Sequence, residues 1–324
     1  VVWQADGAEQ EDAVLRWDTL TEIPIDWPGS VVTIGVFDGV HRGHAAILDR
    51  AVLAGREIEL PVVALTFEPH PAGVVRPGSE PLSISTLEHR VSLLGAAGAA
   101  AVCVLPFTVE LSRLSPEQFV EQVLVDALST RRVVVGSNFR FGARAAGDVG
   151  VLRDLGERFG FGVDAVELVG GADKWSSTVV RNALAAGDVA AATEVLGRFP
   201  RLEGLVVPGD RRGRELGYPT ANLAVPAGLA VAADGVYAGW LVRHPDTPAE
   251  ERWPAAVSIG TNPTFGDSGR RVEAYVLDSD LDLYGELVAL DLVTWVRGQR
   301  KFDSVEELVV AMAADVAQVR SELV

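Results

Sequence analysis

The chain reads as an α/β doubly wound parallel sheet followed by a second, strand-rich module. From Val31 to about Leu168, short β-branched runs alternate with segments of helical period, the pattern of a parallel sheet covered by helices. Beyond Pro200 the texture changes to short alternating runs separated by Gly, Pro, Asp and Asn, which suits a closed β-barrel or a sandwich. With 324 residues, 48% of them hydrophobic, the chain is long enough for two ordinary cores.

The first strand is Val31 to Ile34. Three glycines follow, Gly35, Gly39 and Gly43, with His41 and His44 between and after them, and Ile47, Leu48, Ala51 and Val52 then set a helical period. Two of the five histidines therefore stand where a Gly-rich turn enters a helix. That place favours anions, because the first helical N–H groups are unpaired and the helix dipole adds partial positive charge. Histidines there can also donate to phosphate oxygens whose charge grows during a reaction.

Further strands are expected at Pro61–Phe67, Ala101–Leu105, Arg132–Gly136 and Gly162–Leu168. Helix starts are expected at Ser85, with Glu88 completing a capping box, and at Ser115-Pro116. Ligands of such sheets bind at the carboxyl ends of strands, which selects the loops that matter. In Phe67-Glu68-Pro69-His70-Pro71 two prolines stiffen the chain and Phe67 offers a flat face; a rigid turn explains the segment equally well. Gly136 to Gly142 places Asn138, Phe139, Arg140 and Phe141 between glycines, where aromatics have no evident core role and binding is favoured. Ser176-Ser177-Thr178 opens a helix with Arg181 one turn in. It is a good N-cap, and also a phosphate cradle. Val179 and Leu184 should form that helix's inner face, and Gly187 its end.

Gly197 to Pro200 closes the next helix, so domains of 1–199 and 200–324 are expected. In the second, Arg211 and Arg212 precede Gly213-Arg214-Glu215-Leu216-Gly217-Tyr218-Pro219-Thr220-Ala221-Asn222. Thr220 and Asn222 are two apart and face one side of an extended segment, where their oxygens suit Mg²⁺. Strand alternation puts Glu273, Tyr275 and Leu277 on one face and Val272, Ala274 and Val276 on the other. Ser304 with Glu307 caps a last helix, whose Val305, Leu308, Val309, Met312, Val316 and Val319 should pack on the strands.

Composition narrows the functional classes. The net charge of −17 argues against non-specific nucleic-acid binding. No apolar run is long enough to span a bilayer, and no membrane partner is expected. Cys103 excludes an internal disulfide and should pack as a small hydrophobe. The acidic first twelve residues lack a secretory pattern, so a cytoplasmic location is expected.

His41-Arg42-Gly43-His44 resembles the HxGH signature of the nucleotidylyltransferase superfamily. The longer GVFDGVHRGH resembles the form found in prokaryotic bifunctional riboflavin kinase/FAD synthetases. FEPHP, GSNFRFG and SSTVVR are similar to that family's adenylyltransferase motifs in the same order, and GRELGYPTAN is similar to its riboflavin kinase motif. The resemblance implies a nucleotidylyltransferase-like sheet domain, a C-terminal β-barrel with a terminal helix, and two reactions. Riboflavin would be phosphorylated to FMN by ATP with Mg²⁺, and FMN adenylylated to FAD by a second ATP. In the first domain it implies that His41, His44, Asn138 and Arg181 act in catalysis and that Gly35, Phe37, Ser177 and Thr178 help bind ATP. Phe67, Asn138 and Phe139 would meet the flavin. In the second it implies ATP contacts from Gly213, Arg214, Thr220 and Asn222, with the last two holding the metal. Glu273 would be the general base, and Arg297 and Phe302 the flavin contacts. Lys174 and Trp175 depart from the family's usual Arg and aliphatic residue; Lys lacks the bidentate fork, so a weaker phosphate grip is expected. Two other classes compete: a nucleotidylyltransferase for another phosphorylated precursor fused to an inert barrel, and a non-catalytic nucleotide or flavin sensor.

Overall fold

The computed structural model describes residues 14–167, 175–209, 216–261 and 270–324. Gly213, Arg214, Lys174, Leu168 and residues 262–269 lie outside the described residues. The chain divides into two compact units, Val1–Pro81 with Leu87–Trp175, and Leu82–Thr86 with Ser176–Val324.

The first unit is a parallel sheet. Its strands are β1 (Leu15–Trp17), β2 (Ser30–Ile34), β3 (Val62–Glu68), β4 (Ala101–Pro106), β5 (Thr130–Gly136) and β6 (Gly162–Val166), in the order β1-β4-β3-β2-β5-β6. Every pair is parallel. Five strands stand where the apolar runs predict them. β1 is an addition at the edge, three residues long with Leu15 and Arg16 exposed, too short to leave a periodic signal. Chain order runs outward from β2 to β3 and β4, then returns to β5 on the other side, so the switch point lies between β2 and β5. Helices α1 (Arg42–Ile58), α2 (Pro71–Val75), α3 (Leu87–Ala96), α4 (Val109–Ser112), α5 (Pro116–Phe119) and α6 (Val149–Phe159) complete the unit, α5 running on as π-helical turns to Ala127. Ser115 and Gln118 close the capping box at α5. One core packs Val32, Val63, Cys103, Leu124 and Val133; a second packs Phe37, Leu48, Ala64 and Leu94.

In the second unit α7 (Ser177–Ala186) and α8 (Val189–Leu196) precede a closed antiparallel barrel. Its strands are β7 (Arg201–Val207), β8 (Thr220–Ala224), β9 (Gly235–Arg243), β10 (Glu251–Thr261), β11 (Arg270–Val276) and β12 (Leu287–Gly298), in the order β10-β11-β8-β7-β12-β9. Closure leaves no unpaired edge. The helical pair is tied to this unit: Ala233 N–H donates to Leu184 O at 2.9 Å, and Gly187 (φ 77°) lies so close to the Trp295 ring that a Cβ would approach it to 2.9 Å. Val180, not Val179, is the buried partner of Leu184 on α7.

Alternation on β11 holds, with Val272, Ala274 and Val276 buried and Glu273 and Tyr275 half-buried. The closing helix α9 (Val305–Leu323) is capped by Ser304, whose Oγ accepts from Glu307 N–H at 3.2 Å. Its buried positions are Ala311, Asp315 and Val319, while Val305 is exposed, so the stripe begins later than expected and has a carboxylate at its centre.

Candidate active sites

In the first unit the β2–α1 turn builds a compact imidazole pair. His41 is the N-cap of α1 and is 6% exposed. Its Nδ1 accepts from the Gly43 N–H at 3.1 Å and the His44 N–H at 3.3 Å. This corrects the expectation of unpaired N–H groups awaiting an anion, since His41 itself takes two of them. The same bonds fix the tautomer: Nδ1 is the acceptor, so the neutral ring carries its proton on Nε2. His44 stacks on His41 with centroids 3.7 Å apart and planes 19° apart. Glycine eases the fit at 43: a Cβ would stand 3.0 Å from His41 Cε1 and 3.1 Å from Nδ1, so the ring would have to give by a few tenths of an ångström.

Phe37, expected as an ATP contact, is 1% exposed, and its ring belongs to the core; the site receives from it the edge on which His44 packs at 5.2 Å. A Cβ on Gly35 would press on that ring at 3.1 Å. The tips of β2 and β3 are locked together by a residue the sequence did not flag. Buried Arg90 on α3 donates to Val36 O and Phe67 O, both at 3.2 Å, and to Glu68 Oε2 at 3.0 Å. Phe67 is half-buried and meets Phe107 edge to face at 5.5 Å.

The β5 loop corrects another argument. Phe141 is buried in the core, Phe139 stacks on it at 5.5 Å, and Arg140 pairs with Asp148 at 3.3 Å, so this loop's aromatics do have a packing role. Asn138 is exposed on it. The loop leaves β5 beside β2, which puts Asn138 and the histidine turn on the two strands that flank the switch point. Near the turn, the Arg42 guanidinium lies 5.4 Å from the centroid of the Trp175 ring. Ser177, Thr178 and Arg181 belong to the second unit, on the first turns of α7, where Ser176 Oγ accepts from Val179 N–H at 3.3 Å.

In the barrel, register assembles the site. Glu273 on β11 stands directly opposite Asn222 on β8, and Tyr275 opposite Thr220, while Ser258 on β10 faces Glu273 from the other side. Directly opposed residues share a face, so hydroxyl, amide and carboxylate converge on the outer surface of the barrel. A cavity of about 360 Å³ is lined by Thr220, Asn222, Asp280, Asp282 and Tyr284 among others. A second, of about 260 Å³, is lined by Thr220, Glu273, Tyr275, Arg297, Phe302 and Met312 among others. Thr220 lines both. Gly209 makes room for the Asn222 amide, which a Cβ there would overlap. Gln299 fixes the floor of the second cavity, donating to Ser258 Oγ at 2.9 Å and Ile259 O at 3.0 Å. Arg271 lies 3.5 Å from the Glu273 carboxylate.

A nucleotide-type parallel sheet with a histidine turn at its switch point, joined to a barrel with an acid–hydroxyl–amide face, defines a two-module enzyme of phosphate chemistry. Comparisons with known proteins make this specific. A family model described as FAD synthetase matches residues 23–179, and one described as riboflavin kinase matches residues 196–323. The bifunctional riboflavin kinase/FMN adenylyltransferase of Escherichia coli strain K12 is 35% identical over 289 residues, 89% of this chain and 90% of that one. Its counterpart in Pseudomonas fluorescens is 38% identical over 297 residues, 90% and 93% of the two chains. A crystal structure from Streptococcus pneumoniae, described as a macrolide-efflux protein, superposes with a TM-score of 0.83 at 30% identity, covering 95% of this chain and 98% of that one. Among the described residues no helix here is long and apolar enough to cross a membrane. The chain belongs to the prokaryotic bifunctional riboflavin kinase/FMN adenylyltransferase family.

Proposed function

We propose that residues 200–324 phosphorylate riboflavin to FMN and that residues 1–199 adenylylate FMN to FAD, each with its own ATP, in the cytoplasm. Small molecules are the only partners this reading needs; neither nucleic acid nor a membrane enters it. The observation that carries it is the barrel register: Glu273 and Asn222 are direct cross-strand neighbours, and Thr220 lines two adjoining cavities. Two cavities meeting at one hydroxyl suit two co-substrates meeting at one phosphorus.

In the kinase reaction the Glu273 carboxylate takes the proton of the ribityl 5′-hydroxyl as that oxygen attacks the γ-phosphorus, and ADP leaves. The cavity with Asp280, Asp282 and Tyr284 takes the nucleotide; the one with Arg297 and Phe302 takes the flavin. The Thr220 hydroxyl and the Asn222 amide oxygen, beside two carboxylates, are oxygen donors only, the set that fits Mg²⁺. Thr220 and Asn222 would hold the ion, which neutralises phosphate charge when bound. Gly213 and Arg214 complete the ATP contacts in this reading.

In the adenylyl transfer a phosphate oxygen of FMN attacks the α-phosphorus of ATP in line, and pyrophosphate leaves. No protein nucleophile is required; positioning and stabilisation of spreading negative charge suffice. His41, His44, Asn138 and Arg181 stabilise the reacting phosphates, while Gly35, Ser177 and Thr178 help hold the nucleotide. Phe67 and Phe139, each half-buried, are the flavin contacts. The test is to incubate the chain with riboflavin, ATP and Mg²⁺ and separate the flavins over time. FMN rising first and FAD following supports both assignments; a chain that forms neither overturns them.

A further inference from the structure

Asp315 is the one feature of α9 that packing does not account for. The helix lies on the barrel through Val316, Val319 and Leu323, and this carboxylate, 8% exposed, interrupts that apolar stripe. An ionised carboxylate in such a place is strongly disfavoured unless it is paired and hydrogen-bonded. Its partner is Arg297 on β12. Nε donates to Oδ1 at 2.8 Å and Nη2 to Oδ2 at 2.6 Å, a bidentate fork. Nη1 donates to Gly298 O at 3.0 Å. With three of its five donors engaged, the guanidinium cannot rotate, and two N–H bonds remain. It lies 5.7 Å from the centroid of the Phe302 ring, which the Arg300 guanidinium approaches at 4.6 Å on its own account. Arg297, Phe302 and Asp315 all line the cavity that also holds Glu273. A buried ion pair is a poor way to dock a helix, because well-packed hydrophobic residues of equal volume do as well or better. It does fix one cation in one orientation.

We propose that Asp315 is a positioning residue for the kinase reaction. By clamping Arg297 it holds a guanidinium and the Phe302 ring as one wall of the acceptor cavity, shaped for a flat, uncharged heteroaromatic with hydrogen-bond acceptors on its edge. The inference rests on the reading of that cavity as the flavin site.

The experiment measures initial rates of riboflavin phosphorylation by the full chain against both substrates, with adenylylation of supplied FMN followed in parallel. Asp315→Asn should raise the riboflavin KM roughly tenfold, with kcat and the ATP KM within about threefold and adenylylation unchanged. The exchanged pair, Arg297→Asp with Asp315→Arg, should recover the melting temperature while the riboflavin KM stays high, because the ion pair is restored and the guanidinium is moved. An unaltered riboflavin KM in Asp315→Asn, or its recovery in the exchanged pair, would overturn the inference. If Asp315→Asn does not fold, Asp315→Glu keeps the charge and displaces the fork, and the same KM rise or its absence decides. A wild-type chain that makes no FMN overturns the reading of the site itself, a result distinct from a normal wild type with an indifferent variant.

Discussion

His41 shows how much one side chain settles. Its Nδ1 closes the start of α1 and thereby assigns the proton of the neutral ring to Nε2, so one cap bond pair sets both the helix start and the tautomer. No spacing in the sequence reveals this; the motif places two imidazoles at a helix entrance and leaves open which ring atoms face inward. Cys103 is the opposite case, legible from its apolar neighbours and fully buried as expected. Burial pushes its thiol from 9.0 up to about 12. Between those values the unfolded chain has lost a proton that the native chain keeps, so stability falls as pH rises from about 9 to about 12. This thiol contributes up to about 1.4 kcal/mol per pH unit to that slope. Denaturant titrations across this range should show the slope in the wild type and a shallower one in Cys103→Ala, and alkylation of Cys103 should track unfolding rather than thiol exposure.

At the level of elements, the strands of the sheet were readable wherever short apolar, valine-containing runs stood between helical patterns, and helix starts at Ser115-Pro116 and Ser304; the helix expected to open at Ser85 begins instead at Leu87. What was hidden depends on partners distant in sequence. Asp315 reads as a stray polar residue on an apolar helix until Arg297, on a different element, comes into place. Phe141 reads as a loop aromatic until its bridge to Gly147 folds it back into the core. Arg90 is one charge on a helix until it is seen bonded to carbonyls just beyond β2 and at the end of β3. The β2–α1 turn gives a direct test of an element. In Gly43→Ala the new methyl presses on the His41 ring, whose shift weakens the cap. A loss of about 0.5–2 kcal/mol of stability is expected from the denaturant midpoint, together with a selective fall in FAD formation.

Across the whole molecule, the sequence conveyed the order of the two modules, their fold classes and the chemistry of each, because the informative motifs lie on strand tips and strand faces whose geometry is local. The two sets of groups predict separable activities. His44→Ala should leave FMN accumulating while FAD formation falls by about 100-fold or more, and Glu273→Gln should stop FMN formation yet still convert supplied FMN to FAD; chromatography of the flavins reads both. Either substitution abolishing both reactions in a folded chain would refute the assignment of one reaction to each module. Thr220 is where such clean separation ends, because its side chain borders two chambers at once. Replacing it by the near-isosteric Val, which deletes the hydroxyl, should therefore weaken the apparent affinity for nucleotide and vitamin together. Steady-state titrations of either ligand will respond to this one position, where substitutions deeper in a single chamber should disturb only their own.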